Sequence, residues 1–337
     1  MTLPRIAVAA LGGTIGMRQA HSGEPVVPKL TAADLLAEIP QINSVAEIEA
    51  TTVTSAPSPS LTLNELVAAH RWARERVQAG ARGVVLTHGT DTLEESAFFL
   101  DLLWDRPEPL VLTGAMRSGD LLGADGAANL HDSIVCAASD DARNWGVLAC
   151  LNQQVHLALT VAKEDSHALE AFTSAGFGPL GYVREGSFEN RWGTVTQAGR
   201  QRPQFAPPAN THLCIPIVEA AFDERGEILD AIDGDRFPAV VVNGSGVGHV
   251  SASMADRLET LVKRDIPVLV ASRTSQSGTA RALYGYAGAE ADLLRRGIIL
   301  TGQLSARKSR LALFLMMDAG FSLTQIRQQF QKYWRGQ

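Results

Sequence analysis

The chain has 337 residues, a length at which one hydrophobic core stops growing and two domains become the expectation. Hydrophobic residues make up 45% and charged residues 20%, ordinary globular values, and no apolar run approaches the ~18 residues of a membrane span. A net charge of −6, with Lys and Arg spread along the chain, gives no basic footprint for nucleic acid or an anionic membrane, and so favours small-molecule chemistry. Cys136, Cys150 and Cys214 are too few and too widely spaced for a disulfide framework or a zinc pattern, and they read as buried free thiols. Met1 to Leu11 has no charged start followed by a long apolar segment and a cleavage site. It reads as a first strand, with the cytoplasm as the default compartment.

Residues 5 to 11 are an apolar run without alternation, which suits a strand covered on both faces of a parallel sheet. Gly12, Gly13, Thr14, Ile15 and Gly16 follow at once; they form neither a phosphate loop nor a dinucleotide fingerprint, and what remains is a threonine on a flexible turn. Residues 17 to 29 have loop composition and predict a lid, 31 to 39 a short helix, and 48 to 54 a second strand. A proline- and serine-rich loop then carries Ser58 and Pro59. Thr62 and Glu65 are spaced as a capping box, opening a helix that Gly80 ends.

The stretch from Gly83 to Glu95 organises the rest. The apolar Val84, Val85 and Leu86 run into Thr87, His88, Gly89, Thr90, Asp91 and Thr92 before an acidic helix start. Asp91 and Glu94 have capping-box spacing, which accounts for Asp91 without chemistry. Three threonines and a histidine at the carboxyl end of a buried strand need a further reason, because open α/β sheets put ligands there. Strands at 110 to 113 and 147 to 152, with a glycine-rich loop from Gly114 to Gly126 and a helix after it, continue a βαβα alternation. That pattern predicts a doubly wound parallel-sheet N-terminal α/β domain over residues 1–199. Shorter β pieces follow at 156 to 162 and 193 to 197; Lys163, at the end of the first, reads by residue type as a solvated charge.

Prolines 203, 207 and 208 among polar residues predict a linker at 200–211. Residues 212–337 then repeat the layout as a smaller C-terminal α/β domain, with strands at 213 to 218, 239 to 242 and 268 to 271. Its helices are predicted at 253 to 263, 289 to 296, 306 to 318 and 323 to 334. Ser251 and Ser253 read as helix caps. The GSGVG run from Gly244 is one residue short of a dinucleotide fingerprint, so no nucleotide cofactor is implied.

A hydroxyl nucleophile needs a base. The sequence has no GxSxG elbow, HExxH or CxxC, so no metal site is read, and threonine with lysine is the remaining pairing. If Lys163 folds back toward Thr90, it can take the hydroxyl proton while Asp91 orients the pair or holds a substrate ammonium. Backbone amides at the Gly89 and Ala115 turns can bind an oxyanion.

Gly12-Gly13-Thr14-Ile15 followed by His88-Gly89-Thr90-Asp91-Thr92 resembles the paired signature of the bacterial-type L-asparaginase and glutaminase family. Further matches run from Thr113 to Arg117, from Ala124 to Asn129, at Lys163, from Gly178 to Gly181 and from Gly246 to Gly248, so the resemblance covers nearly the whole chain. It implies an amidohydrolase, free of cofactor and metal, that converts L-asparagine to L-aspartate and ammonia, with L-glutamine as a poorer substrate. It also implies a homotetramer built from two intimate dimers, each site lying between the N-terminal domain of one subunit and the C-terminal domain of its neighbour.

By the same resemblance Thr14 falls on the nucleophilic threonine beside the lid, and Thr90, Asp91 and Lys163 on the family's triad. Ser58 falls on the serine that holds the α-carboxylate, Ala115 contributes its backbone, Ser251 falls on a variable asparagine or serine, and Glu290 on the acid lent by the neighbour. Two departures stand out: Glu24 and Pro25 occupy the region of the lid tyrosine, and Pro59 replaces a glutamine that helps bind the α-ammonium. Two other classes share these motifs. One is the ammonia-supplying subunit of a tRNA-dependent amidotransferase, which carries an extra N-terminal domain; the other is a non-catalytic amino-acid-binding member of the fold.

Overall fold

The computed structural model describes residues 2–19, 24–193 and 202–334, and the chain divides into two compact units, 1–200 and 201–337. In the first unit, strands β1 (Arg5–Ala10), β4 (Glu47–Thr52), β5 (Gly83–Thr87), β6 (Leu110–Thr113) and β7 (Val147–Leu151) run parallel in the order β4-β1-β5-β6-β7. Every residue of β5, β6 and β7 is buried, so these strands need apolar residues at consecutive rather than alternate positions. On one face Ile6, Val8, Val85, Val111 and Leu148 pack with Leu35 of helix α1 (Ala32–Ala37) and with Leu130 and Ile134 of α4 (Gly126–Ala138). Helices α2 (Leu63–Gln78) and α3 (Leu93–Leu103) pack on each other and on the sheet.

Strands β4, β1, β5, β6 and β7 form the parallel sheet that the βαβα pattern predicts, and beyond β7 the edge of the sheet turns antiparallel. Strand β8 (Gln154–Leu157) returns antiparallel to β7 after only Asn152 and Gln153, and β11 (Gly181–Arg184) and β12 (Ser187–Asn190) extend the edge antiparallel. The reason is local. Asn152 and Gln153 both adopt positive φ, 48° and 62°, so the chain reverses in a two-residue hairpin where a parallel connection needs a crossover.

The region read as a lid folds partly as a hairpin, β2 (Met17–Gln19) with β3 (Val26–Pro28). Its base is tied down by Arg18, which donates to Met17 O (2.8 Å) and pairs with Glu38 and, at 3.9 Å, with Asp120. The β piece predicted at 156 to 162 splits into β8 and a two-residue strand β9 (Ala162–Lys163), which pairs with β10 (Phe172–Thr173). The strand predicted at 193 to 197 lies, beyond Gly193, outside the described residues, as does the start of the predicted linker; 202 to 211 form no helix or strand.

The second unit is a four-stranded parallel sheet, β13 (Ile217–Glu219), β14 (Val240–Gly244), β15 (Val268–Ser272) and β16 (Ile299–Leu300), in chain order. Helix Ala252–Lys263 and the short helix Glu290–Arg295 enclose its core, with helices Ala306–Asp318 and Leu323–Tyr333 following. The strand predicted at 213 to 218 forms only at its end, because Pro216 has no N–H to give a ladder. Cys214 is therefore exposed rather than buried as expected, whereas Cys136 and Cys150 are buried and their thiols are pushed up by desolvation, Cys150 to about 12. No helix among the described residues is long and apolar enough to cross a membrane.

Candidate active site

Strands β1 and β5 lie side by side with Ala10 opposite Thr87, and Leu11 N donates to Thr87 O at 2.9 Å, so both chains leave the sheet at one edge. Gly12 and Gly13, at φ 95° and 92°, then turn the first chain over the second. A Cβ on Gly13 would lie 2.4 Å from Gly89 N, so only glycine lets the Thr14 turn rest on the turn that carries Thr90. Gly89 in turn presses on Ser58: a Cβ there would sit 2.6 Å from Ser58 Oγ. Thr92 Oγ1 donates to Ser58 O at 3.1 Å and fixes that loop to the start of α3. Thr14, Ser58, Gly89 and Thr90 thus share one edge of the first unit, while Pro59 beside them is exposed.

Lys163 arrives from far along the chain. Its ammonium lies 3.0 Å from Thr90 Oγ1 and 2.7 Å from Asp91 Oδ1. Thr90 is 6% exposed, Lys163 retains 16% of its side-chain surface, and Asp91 retains 63%. The hydroxyl is therefore enclosed and the carboxylate open to solvent. By residue type Lys163 read as a solvated charge; here it is largely enclosed, and its backbone shows why. Lys163 N donates to Glu94 Oε2 at 2.7 Å, and Glu94 is buried at the start of α3. The capping box expected from Asp91 and Glu94 does not form: α3 starts at Leu93 after Thr92, Asp91 faces Lys163 Nζ, and Glu94 holds the strand that brings Lys163 in.

Ala115 is buried on the loop after β6, and that loop is shaped by Asp125 and Asn129. The Asp125 carboxylate accepts from Met116 N (3.0 Å) and Arg117 N (2.9 Å). Asn129 Nδ2 donates to Gly114 O and to Asp125 Oδ2, while its Oδ1 accepts from Asn152 N at 2.9 Å. Composition marked residues 114 to 126 as a glycine-rich loop; Asp125 and Asn129 hold that loop by its backbone. His88 lies beneath the Thr90 turn, with Nδ1 donating to Gly89 O at 2.7 Å, and burial lowers its pKa to about 4, leaving it neutral.

In the second unit Ser251 caps helix Ala252–Lys263, accepting from Met254 N at 3.2 Å and donating to Glu224 O at 2.9 Å. Glu290 is fully buried: Oε1 accepts from Leu283 N and from Tyr284 N (2.5 Å), and Oε2 lies 2.8 Å from His249 Nε2. Burial acts to raise the Glu290 pKa, but the donors from Tyr284, His249 and Leu283 outweigh it, and the carboxyl is held below its usual value. Sequence reasoning passed over His249, which Tyr286 also contacts, its OH 2.7 Å from His249 Nδ1. The signal available was the histidine directly after Gly246-Val247-Gly248 at the end of a strand. No group of three or more His, Cys, Asp or Glu side chains able to hold a metal ion occurs among the described residues.

The family description "Asparaginase, N-terminal" matches residues 5–196, and "Glutaminase/Asparaginase C-terminal domain" matches 215–330. L-asparaginase 2 of Escherichia coli is 29% identical over 99% of this chain and 94% of its own. A probable L-asparaginase of Deinococcus radiodurans is 32% identical over 98% of both chains, and a glutaminase-asparaginase of Pseudomonas fluorescens 31% over 82% of this chain and 77% of that one. The crystal structure of a probable cytoplasmic L-asparaginase from Campylobacter jejuni superposes with a TM-score of 0.86 at 28% identity, covering 98% of this chain and 100% of that one. With both of its units matched and its sheet edges carrying the two threonine turns, this chain belongs to the asparaginase/glutaminase family of amidohydrolases.

Proposed function

We propose that this chain hydrolyses L-asparagine to L-aspartate and ammonia through a threonine nucleophile, with weaker hydrolysis of L-glutamine. The contact of Lys163 Nζ with both Thr90 Oγ1 and Asp91 Oδ1 carries the reading. The names of the relatives, asparaginases and glutaminase-asparaginases, support the choice of substrates.

In this mechanism the substrate α-ammonium pairs with Asp91, whose carboxylate is open to solvent, and the α-carboxylate meets Ser58 and the Gly89 turn. Competition of the α-ammonium for Asp91 breaks the ion pair that holds Lys163 as an ammonium, and once Nζ has released a proton to water it takes the Thr90 proton as the neutral amine. Thr14 attacks the carboxamide carbon, its own proton passing to the Thr90 and Lys163 pair through water. Backbone amides at the Gly89 and Ala115 turns stabilise the oxyanion, and the proton taken from Thr14 passes to the carboxamide nitrogen, which leaves as ammonia when its bond to carbon breaks. Water then releases aspartate from the acyl-threonine by the same relay. The Pro59 side chain has no polar atom to offer the α-ammonium, so among side chains that group depends on Asp91. The active form is a cytoplasmic homotetramer of intimate dimers. Glu290 of the neighbouring copy acts by holding His249 and the Leu283 to Tyr284 backbone, because both of its oxygens are already engaged.

The test is ammonia release from L-asparagine and L-glutamine by the wild type and Lys163→Met, before and after chelation. Asparagine turnover should exceed glutamine turnover and survive the chelator, and Lys163→Met should lose roughly two to four orders of magnitude in kcat. A silent wild type favours the non-catalytic binding member of the fold, and full turnover by Lys163→Met removes Lys163 as the base.

A further inference from the structure

We propose that Arg18 is a positioning residue for the nucleophile: it keys the turn of Thr14 to the loop that carries Ala115, so that the attacking hydroxyl and the oxyanion donors are held as one body. The inference rests on the roles proposed above for Thr14 and the Ala115 turn, and adds a residue that acts through them. The Arg18 side chain folds back over its own backbone, and Nη1 donates to Ile15 O at 3.1 Å and to Met17 O at 2.8 Å. These carbonyls flank Gly16, where the short helical turn that begins at Thr14 closes. Nη2 pairs with Glu38 at the end of α1, and Nε lies 3.9 Å from Asp120.

The loop after β6 meets the same side chain from another direction. A Cβ on Gly119 would lie within 2.6 Å of Arg18 Cζ, Nη1 and Nη2, so the guanidinium rests against the bare glycine. The next residue, Asp120, accepts from Gln19 N. A second contact lies one residue past the nucleophile. Ile15 is buried, and a Cβ on Gly126 would sit 2.8 Å from Ile15 Cγ1 and 3.4 Å from Ala115 Cβ. The Thr14 turn is thus keyed to the Ala115 loop at two points, one apolar and one through Arg18. Asp125 stiffens the loop itself by accepting from Met116 N and Arg117 N.

Arginine suits this place by its shape. Its planar fork of donors serves two carbonyls and two carboxylates at once, which a lysine ammonium on a flexible stem cannot do in one geometry. Only 14% of the side-chain surface is exposed, so packing holds the guanidinium as well as charge. The consequence is kinetic. Gly12 and Gly13 permit the turn without fixing its distance from Ala115, and a nucleophile misplaced by about 1 Å costs on the order of 100-fold in rate. Asp91 contacts Lys163 and Ser58 contacts Thr92, so the side chains proposed to bind substrate lie outside the Arg18 cluster.

The experiment measures kcat and KM for L-asparagine in Arg18→Lys, Gly119→Ala, their double variant and Thr14→Ala, with urea midpoints in parallel. Arg18→Lys keeps the charge and loses the fork. Gly119 lies outside the left-handed region, so an added methyl strains no backbone and displaces only the end of the Arg18 side chain. Each single variant should lower kcat about thirtyfold while KM stays within about a factor of three. The double variant should fall no further than the worse single one, because both break the same contact. A merely structural role would lower the urea midpoint and leave kcat of the folded protein intact. Should Arg18→Lys fail to fold, Gly119→Ala decides alone, and unfolding of both would make Arg18 a folding residue only and overturn the proposal. So would a kcat within about a factor of three of wild type in either folded single variant, or losses that multiply in the double one. Substantial turnover by Thr14→Ala removes the nucleophile reading and this inference with it, whereas a dead Thr14→Ala beside an unimpaired Arg18→Lys removes only the role of Arg18.

Discussion

Each unit carries a hydroxyl, a base and a carboxylate in hydrogen-bonded sequence, yet the two chains of contacts are buried from opposite ends. In the first, Thr90 is enclosed, Lys163 is the middle group and Asp91 faces water. In the second, Glu290 is enclosed, His249 is the middle group and Tyr286 faces water. The open end is the end that meets a ligand. An open carboxylate beside an enclosed hydroxyl suits a zwitterionic substrate whose ammonium needs a counter-ion. An enclosed carboxylate is left only a structural duty, fixing the setting of the histidine, while the hydroxyl is the end that stays open to solvent.

The largest effect expected is on Thr14. Thr14→Ala should nearly abolish asparagine turnover, measured as kcat, and enzyme quenched during wild-type turnover should carry the acyl group on Thr14. Finding it on Thr90 would make the enclosed hydroxyl, rather than that of Thr14, the nucleophile of the first unit. Next, the two carboxylates should separate stability from activity. Glu290→Gln removes a buried charge from three donors and should cost on the order of 3 kcal/mol in urea unfolding. Asp91→Asn breaks an ion pair open to water and should cost less than about 1 kcal/mol while raising KM for asparagine. Similar stability losses for both would mean that burial does not distinguish the clusters.

Acid sensitivity sharpens the comparison further. His88 and His156, both buried in the first unit, have their pKa lowered from 6.5 to about 4 by desolvation. The unfolded chain therefore binds their protons first, and the stability they contribute is complete above pH 6.5 and lost as pH falls toward 4. Each histidine should account for about 2 kcal/mol between pH 7 and pH 5. His156→Gln, at a histidine whose ring bonds Ser174 Oγ, should flatten the fall in urea midpoint over that range; an unchanged slope would refute the assignment. The smallest effect is expected at Glu24, which stands in the region of the missing lid tyrosine. Glu24→Gln should keep kcat within about a factor of ten, below a general-base contribution. A collapse would move activation of Thr14 from the Lys163 relay to the lid.

What the sequence determined by itself was local. The apolar runs at β1, β5 and β6, the glycines at 12, 13 and 89, and the Thr62 to Glu65 box each act over a few residues, so strands, turns and the two threonine motifs could be read directly. Their position on one edge followed from parallel pairing. Only the tertiary structure decided how Lys163 reaches Thr90, 73 residues away, because the anchor is the buried Glu94 accepting its backbone N–H, and spacing had pointed that glutamate to a cap. The same holds for the antiparallel edge, set by two positive-φ residues after β7. It holds again for His249, joined to Glu290 and Tyr286 across 41 and 37 residues of intervening chain. Residue type and spacing encode what a few neighbouring backbone units will do. Which carboxylate is sheltered from water, and hence which end of each chain of contacts stays open to solvent, is fixed only when distant segments pack and remove water from the other end.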